Sequence, residues 1–264
     1  MKAHVYSIDG NQMEEIELPQ HFSEEIREEV IRRAVLAEQS RKYQPKGAFK
    51  LAGLQTSAEY RGRKEAYGTI KNKGISRLPR EKFPKGRFGR VRIVPFSAKG
   101  RRAHPPNPNE VLVERINKKE YEKAMRSAIA ATARKEIVEA RGHRVKGVKE
   151  VPLIVENRFE ELDKTKNVLA CLKALGVEDE LERARRKKKV SGVREGRKGG
   201  NIRPKSLLIV VGNGSKVARA ARNLAGVDVR GVNDLDVSSL APGTHMGRLT
   251  LWSKRAIEEL GKVK

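Results

Sequence analysis

The chain has 264 residues, 38% of them hydrophobic, and carries 58 Lys and Arg against 33 Asp and Glu, a formal net charge of +25. That length can bury the core of one medium domain or two small ones, while the modest apolar content leaves a sizeable part outside it. Self-repulsion of so many cations opposes compaction, which excludes a self-sufficient neutral globule and points to a polyanion, most commonly nucleic acid.

In chain order, His4 to Ile8 alternate as a short strand and Asp9-Gly10-Asn11 reads as a turn. Ser23 offers an N-cap to a helix running to about Ser40, with Ile26, Val30, Ala34 and Ala37 on one face. Glu28–Arg32 and Glu29–Arg33 are spaced for surface pairing. Residues 41–102 then hold 19 Lys and Arg, only Glu59, Glu65 and Glu81 as acids, eight glycines and seven of the twelve aromatic residues. Their apolar side chains follow no sustained period, and a stretch of that length without regular structure signals function or disorder. Cations spaced by glycines and by Tyr43, Phe49, Tyr60, Tyr67, Phe83, Phe88 and Phe96 suit a chain threading between phosphates and stacking on bases. Such a segment is expected to be mobile when free and ordered by RNA.

Asn117 and Glu120 have capping-box spacing for a helix to about Ala140, with Tyr121, Ala124, Ala128 and Ala131 on one stripe. Val151–Val155 reads as a strand with Pro152 early in it or near an edge. A helix over Asp163–Leu175 puts Val168, Leu172 and Leu175 inside, with Gly176 as its C′ residue. A second helix, Asp179 to Lys188, runs into residues 182–205, which hold 11 Lys and Arg against Glu182 and Glu195. The rest of the chain, outside 41–102 and 182–205, is neutral in sum. Within the second basic segment, a basic helix leads into a glycine-rich basic strand that suits an RNA backbone, its glycines allowing close approach. Leu207–Val211 is apolar on both faces and therefore reads as a central parallel strand. A helix over Ser215–Leu224, strands at Val227–Val232 and Leu249–Trp252, and a helix over Ser253–Leu260 complete the pattern. Strands separated by helices predict an α/β fold of three layers, a mainly parallel sheet with helices on both faces, interrupted by a long extended basic loop. The expected organisation is a single α/β domain over 1–264, with 41–102 as the loop and 182–205 as the second basic segment.

No catalytic constellation emerges. Gly212-Asn213-Gly214-Ser215-Lys216 follows a buried strand and opens a helix, where backbone N–H groups suit a phosphate. It lacks the Walker spacing and the third glycine of a dinucleotide site, so a helix-capping turn is the expectation. His4, His21, His104, His143 and His245 are scattered and Cys171 is solitary, without metal-ligand spacing. A single cysteine excludes an internal disulfide and suits a reducing compartment. The N-terminal MKAHVYSIDG lacks the apolar stretch of a signal peptide, and no run reaches the ~18 apolar residues of a membrane span. The expectation is a cytoplasmic protein that is not an enzyme and has no cofactor, metal, membrane contact or obligate homo-oligomer.

Several stretches together resemble one family over essentially the whole chain. They are Lys99-Gly100-Arg101-Arg102-Ala103-His104-Pro105-Pro106, Ser127-Ala128-Ile129-Ala130-Ala131-Thr132, Gly142-His143-Arg144 before Pro152-Leu153-Ile154-Val155, Arg203-Pro204-Lys205-Ser206-Leu207-Leu208-Ile209-Val210, and Ala241-Pro242-Gly243-Thr244-His245-Met246-Gly247-Arg248-Leu249. The chain is similar to the archaeal-type fourth large-subunit ribosomal protein, the one with a loop lining the peptide exit tunnel. It stops at Lys264, without the long basic C-terminal extension of eukaryotic members. The loop departs from the commonest family wording at Gly68–Gly74 and Gly86–Arg90. The resemblance implies a body on the outer surface of the large subunit and a loop penetrating its rRNA, an early role in assembly, and a share in the tunnel constriction. Implied partners are large-subunit rRNA, neighbouring large-subunit ribosomal proteins, and nascent peptide near the loop tip. An RNA-binding regulator acting on a messenger leader is the alternative.

The rRNA-binding candidates in the loop are Arg41, Lys46, Lys50, Arg61, Arg63, Lys64, Tyr67, Lys71, Lys73, Arg77, Arg80, Phe83, Lys85, Arg87, Phe88, Arg90, Arg92, Lys99, Arg101 and Arg102, with His104 just beyond it. In the second segment they are Arg185, Arg186, Lys187, Lys188, Lys189, Arg194, Arg197, Lys198 and Arg203. Arg87, Arg90, Arg92, Arg101 and Arg102 lead, because a guanidinium fork both bridges phosphates and stacks on bases. Phe83, Phe88 and Tyr67 are the stacking candidates, each worth about 1–3 kcal/mol on an exposed base. A local hydrophobic knot within the loop is their competing use.

Overall fold

A computed structural model of the protein describes residues 1–46, 58–65, 67–84, 87–92, 106–197, 199–212 and 214–262. They fall into two compact units, Met1–Lys42 with Val113–Lys264, and Tyr43–Leu112.

In chain order, the hairpin β1 (Lys2–Tyr6) and β2 (Gln12–Glu17) leads to α1 (Glu28–Ser40). The second unit contributes β3 (Ala58–Glu59), β4 (Arg80–Lys82) and β5 (Phe88–Val91). Then come α2 (Lys118–Thr132), α3 (Lys135–Ala140), β6 (Leu153–Val155), α4 (Thr165–Ala174) and α5 (Glu178–Arg185). The second basic segment forms β7 (Lys188–Lys189), α6 (Val193–Arg197) and β8 (Asn201–Ile202). The chain ends with β9 (Leu208–Val211), α7 (Val217–Ala221), β10 (Asp228–Gly231), α8 (Val237–Leu240), β11 (Thr250–Ser253) and α9 (Lys254–Lys262).

Six strands build the main sheet in the order β10-β9-β11-β6-β1-β2. Every neighbouring pair is parallel except the β1–β2 hairpin, so the fold is mixed α/β with a mainly parallel sheet. β9 is buried along its whole length between two parallel partners, as its unbroken apolar run requires. Pro152 immediately precedes β6, where its missing N–H costs the ladder nothing.

Strand residues alternate between two hydrophobic clusters, as the two-residue period of a pleated strand demands. Ile154, Leu208, Val210 and Trp252 join Ile31, Ala34, Val35, Ala124, Ala128 and Ile257 in one cluster. Leu153, Val155, Ile209, Val211 and Leu251 join Val138, Val168, Leu172, Leu175 and Val217 in the other. Phe22 meets Trp252 edge-on, with ring centroids 5.3 Å apart.

Several sequence expectations are displaced, each for an identifiable reason. The first helix begins at Glu28, not after Ser23: Phe22 closes a short 3-10 turn instead, and the Arg27 N–H donates to Ser127 Oγ at 2.7 Å. Its buried stripe is Ile31, Ala34, Val35 and Ala37, with Ile26 and Val30 only half-buried. Arg32 pairs with Glu28 at 3.1 Å, whereas Arg33 reaches Glu120 on α2 at 2.9 Å instead of Glu29. Asn117 is the N-cap of α2 but its side chain makes no capping bond, and the Glu120 carboxylate, expected to reach back to the Asn117 N–H, is engaged by Arg33. The helix expected to reach Ala140 breaks at Ala133–Arg134. Ala124, Ala128 and Ile129 pack in one cluster and Val138 in the other, which one straight helix does not serve.

Gly176 does end α4, at φ +80°, with its N–H on Lys173 O and the Val177 N–H on Leu172 O. A Cβ there would lie 1.8 Å from the Gly147 carbonyl oxygen, so no other residue fits. Glu38 fastens the C-terminal part of the chain to α1. Its carboxylate accepts the Tyr121 hydroxyl at 2.7 Å and the Val237 and Ser238 N–H groups at 3.0 and 2.8 Å, which caps α8.

In the second unit, β3, β4 and β5 form an antiparallel sheet in that order. These residues therefore carry regular pairing where sequence periodicity shows none. β4 is Arg-Glu-Lys, and in β5 Phe88 and Val91 stand three residues apart, so no two-residue apolar period marks the pairing.

Candidate nucleic-acid interface

Lys50, Lys85, Lys99, Arg101, Arg102, His104 and Lys198, predicted as contacts, lie outside the described residues, as does Asn213. Phe88 opens β5. The remaining predicted cations sort into two groups.

The first group is engaged within the second unit. Arg61 reaches Glu59 at 3.3 Å, Arg92 pairs with Glu81, and Lys46 pairs with Glu110. Arg80 donates to Ser76 Oγ at 2.8 Å and to the Gly89 carbonyl at 3.5 Å. Of these, Arg80 and Arg92 link β4 to β5, whereas Arg61 pairs locally at the end of β3 and Lys46 outside the sheet. The second group is exposed and has no partner among the described residues: Arg63, Lys64, Lys71, Arg77, Arg87 and Arg90, together with Arg41 at the end of α1. Lys73 is also exposed. Tyr67 is 78% and Phe83 49% exposed, leaving both rings presented to solvent rather than folded into a knot. Ile70, at 2% exposure, and Pro79 are buried there.

The second basic segment is a two-stranded antiparallel hairpin, β7 with β8, enclosing the short α6. A helix continuing to Lys188 and a following strand were expected; α5 instead stops at Arg185, and Lys188 pairs across to Ile202. Gly192, Gly199 and Gly200 take positive φ, which supplies the turns. Arg185, Arg186, Lys187, Lys188, Arg194, Arg197 and Arg203 are all exposed, and Lys189 is exposed while pairing with Glu195 at 3.1 Å. Cations held on a hairpin with so little local acid make it a strongly positive surface.

Beneath this hairpin lies a buried cluster that sequence reading missed. Glu180 accepts His143 Nδ1 at 2.7 Å, the Arg144 N–H at 3.0 Å, and Arg183 at 2.6 and 2.9 Å. Burial alone would raise the Glu180 carboxyl, but the bonds from Arg183, His143 and the Arg144 backbone outweigh it and hold it at about 2. Burial lowers the His143 imidazole, and Arg183 and Arg141 add to that against Glu180. The sign of the linkage is then fixed. Unfolded His143 takes up a proton that the folded ring resists, so its stability contribution is complete above the ordinary value of 6.5 and is lost as pH falls below it. Glu180 adds a separate loss, beginning below the usual 4.5 and ending near 2. Thermal midpoints measured between pH 8 and 5 should therefore fall with acidity, and His143→Gln should flatten part of that slope. His21, lowered first by burial, accounts for another part. An unchanged slope in the variant would show that folding leaves the protonation of His143 as it is in the unfolded chain, and a steeper one that the ring is charged in the folded protein.

The glycine turn after β9 behaves as a structural turn. The Gly212 N–H donates to buried Glu160 Oε1 at 2.7 Å, and Ser253 Oγ donates to the same oxygen. A Cβ at Gly212 would lie 2.8 Å from Arg255 Cδ. A carboxylate behind the turn repels a nucleotide phosphate, and α7, which the turn precedes, has only five residues. Cys171 is buried, and burial first, then Asp9 and Glu156, push its thiol up to about 12, far from a nucleophile's range. Among the described residues no group of three or more His, Cys, Asp or Glu is placed to hold a metal ion, and no helix is long and apolar enough to cross a membrane.

Comparison with known proteins finds relatives along nearly the whole chain. Large ribosomal subunit protein uL4 of Methanococcus vannielii is 46% identical over 261 residues, covering 98% of both chains. The uL4 proteins of Methanospirillum hungatei and Archaeoglobus fulgidus are each 45% identical, over 261 and 263 residues and 99% of both chains. The model of the Ribosomal protein L4/L1 family matches residues 16–263, and the chain belongs to that family.

Proposed function

We propose that the protein is a structural constituent of the large ribosomal subunit that binds rRNA, supports assembly and works in the cytoplasm. It is not an enzyme. The observation that carries this reading is the set of exposed cations on the second unit and on the β7–β8 hairpin that find no carboxylate among the described residues. Family membership supplies the polyanion that such cations need.

In this reading one α/β domain of three layers, with helices on both faces of the sheet, is interrupted by an rRNA-penetrating arm. The two separate hydrophobic clusters support the layering. Lys and Arg of the arm neutralise phosphates that folded rRNA forces together and release their counterions. Tyr67 and Phe83 stack on unpaired bases. The arm reaches the wall of the peptide exit tunnel, close to the nascent chain, and the body meets neighbouring large-subunit proteins.

The test is the salt dependence of binding to large-subunit rRNA fragments. With about six phosphate contacts, log affinity should fall against log salt with a slope near −4 to −5. A slope near zero would refute the reading. Tighter binding to a messenger leader than to rRNA at equal salt would reassign the protein as a regulator.

A further inference from the structure

A cavity of about 810 Å³ opens at the base of the β7–β8 hairpin, where the two ends of the basic segment leave the body. Arg183 and Lys205 line it from those two ends. Arg141 and His143 line it from the turn after α3, and His245 from the turn after α8. Glu28, the acid in the wall, is already paired with Arg32 at 3.1 Å.

Arg141 is the unusual member. Its guanidinium is half-buried and donates only to carbonyls, Pro242 O at 2.7 Å and Met246 O at 3.4 Å. No carboxylate bonds to it among the described residues. Burial first, then the nearby charges of Arg248 and Arg183, push it down to about 10. A cation withdrawn from water and crowded by two others is costly unless an anion meets it. The other charges of the cavity do not supply that anion. Arg183 is spent on Glu180, and Lys205 on Asp228 at 2.9 Å. His143 turns Nδ1 to Glu180, and its buried Nε2 has no partner among the described residues. His245 is exposed at the rim.

We infer that this cavity receives a backbone phosphate of rRNA, with Arg141 as its principal contact and His245 closing over it from the rim. The inference rests on the rRNA-binding reading and extends it from the basic arm and hairpin to the body. A strand following the exposed cations of the hairpin arrives at this cavity, because both ends of the hairpin segment form its wall. The class of ligand follows from the lining. Cations without a free acid select an anion, and a cavity of this size accepts a phosphate with its sugar.

The full-length protein provides the test. Binding to large-subunit rRNA is measured for the wild type, Arg141→Gln and His245→Ala. The imidazole C–H resonances of His143 and His245 are followed by NMR during titration with a single-stranded RNA hexanucleotide and, separately, with inorganic phosphate. R141Q should weaken rRNA binding roughly fivefold to tenfold and reduce the salt slope by about one. Because Arg141 also holds two carbonyls, R141Q is read beside H245A, whose exposed side chain is not part of the packing. The hexanucleotide should shift the His245 resonance in the wild type and not in R141Q, with inorganic phosphate needing a far higher concentration. If both variants bind rRNA with wild-type affinity and slope, the cavity is overturned while the rRNA reading stands. If inorganic phosphate acts as well as the hexanucleotide, the site is one for free anions and the inference fails. If the wild type does not bind rRNA, that reading falls, and the hexanucleotide titration decides the cavity separately: no shift overturns it too.

Discussion

Replacing Tyr43–Leu112 by a short glycine-serine linker should leave the α/β body folded and reduce rRNA affinity on the order of 10³-fold or more at low salt. Every residue of the two hydrophobic clusters lies within 1–42 or 113–264, so the deletion removes none of that packing. The cut ends are already neighbours, since the Glu114 N–H donates to Ser40 Oγ at 2.9 Å. A short connection therefore suffices, and closing a smaller loop costs less entropy than closing the original one. The deleted stretch carries 17 Lys and Arg and four acids, about half of the net charge of the chain. The salt slope should fall by about half in consequence, the remainder belonging to the hairpin and body. Circular dichroism and thermal melting check the fold, and filter binding from 50 to 200 mM salt checks the slope. A variant that binds rRNA like the wild type would remove the arm from the interface. A body that no longer folds would show that the arm is part of its core.

Much of the body was legible from its residues because its strands are short apolar runs and its helices have clear stripes. Leu207–Val211 needed only its composition to be read as a buried parallel strand, and Gly176 only its position after Leu175. What escaped depends on partners far apart in sequence. The capping box at Asn117 and Glu120 is a local pattern overruled by Arg33, which approaches from another helix. β2 escaped because its sequence, Gln12–Glu17, is mostly exposed and acidic and so carries no apolar alternation. The binding surface was legible as charge but not as geometry. Composition located the cations; it did not distinguish Arg61 and Arg92, which are paired with Glu59 and Glu81, from Arg87 and Arg90, which are free among the described residues. The Arg141 cavity was missed because its walls come from five separate stretches, none of which supplies more than two basic side chains to it.

Arg248 should be the most costly single residue to remove from the body. Its side chain is 1% exposed, yet all of its donor groups are used. Nε donates to Ser206 O at 2.7 Å, Nη1 to Ser239 O at 2.9 Å, and Nη2 to Leu207 O, Gly226 O and Asp228 Oδ2, the last at 2.6 Å. The fork thus ties the residues entering β9, the turn before β10, the first residue of β10 and the end of α8 to the segment leading into β11. Burial alone would raise the Asp228 carboxyl, but Lys205 and Arg248 hold it below its ordinary value. Truncating Arg248 to Leu leaves Asp228 with Lys205 alone and takes the side-chain partner from the Ser206 and Ser239 carbonyls, while those of Leu207 and Gly226 keep the Asp228 and Ser206 N–H groups. Breaking a buried ion pair in this way typically costs about 3–5 kcal/mol, which for a body of this size is roughly 6–20 °C in midpoint. Arg248→Lys should fall between, since an ammonium keeps the charge but does not span acceptors on three elements. Asp228→Asn alone should be milder, because the carbonyl bonds to Arg248 remain. Combined with R248L it should recover part of the loss, because the unpaired carboxylate is then gone. Chemical denaturation of the four variants gives the coupling energy directly. Additive effects of R248L and D228N would mean that the pair contributes nothing beyond its separate bonds. In that case the stabilising part of Arg248 would be its grip on the backbone carbonyls alone.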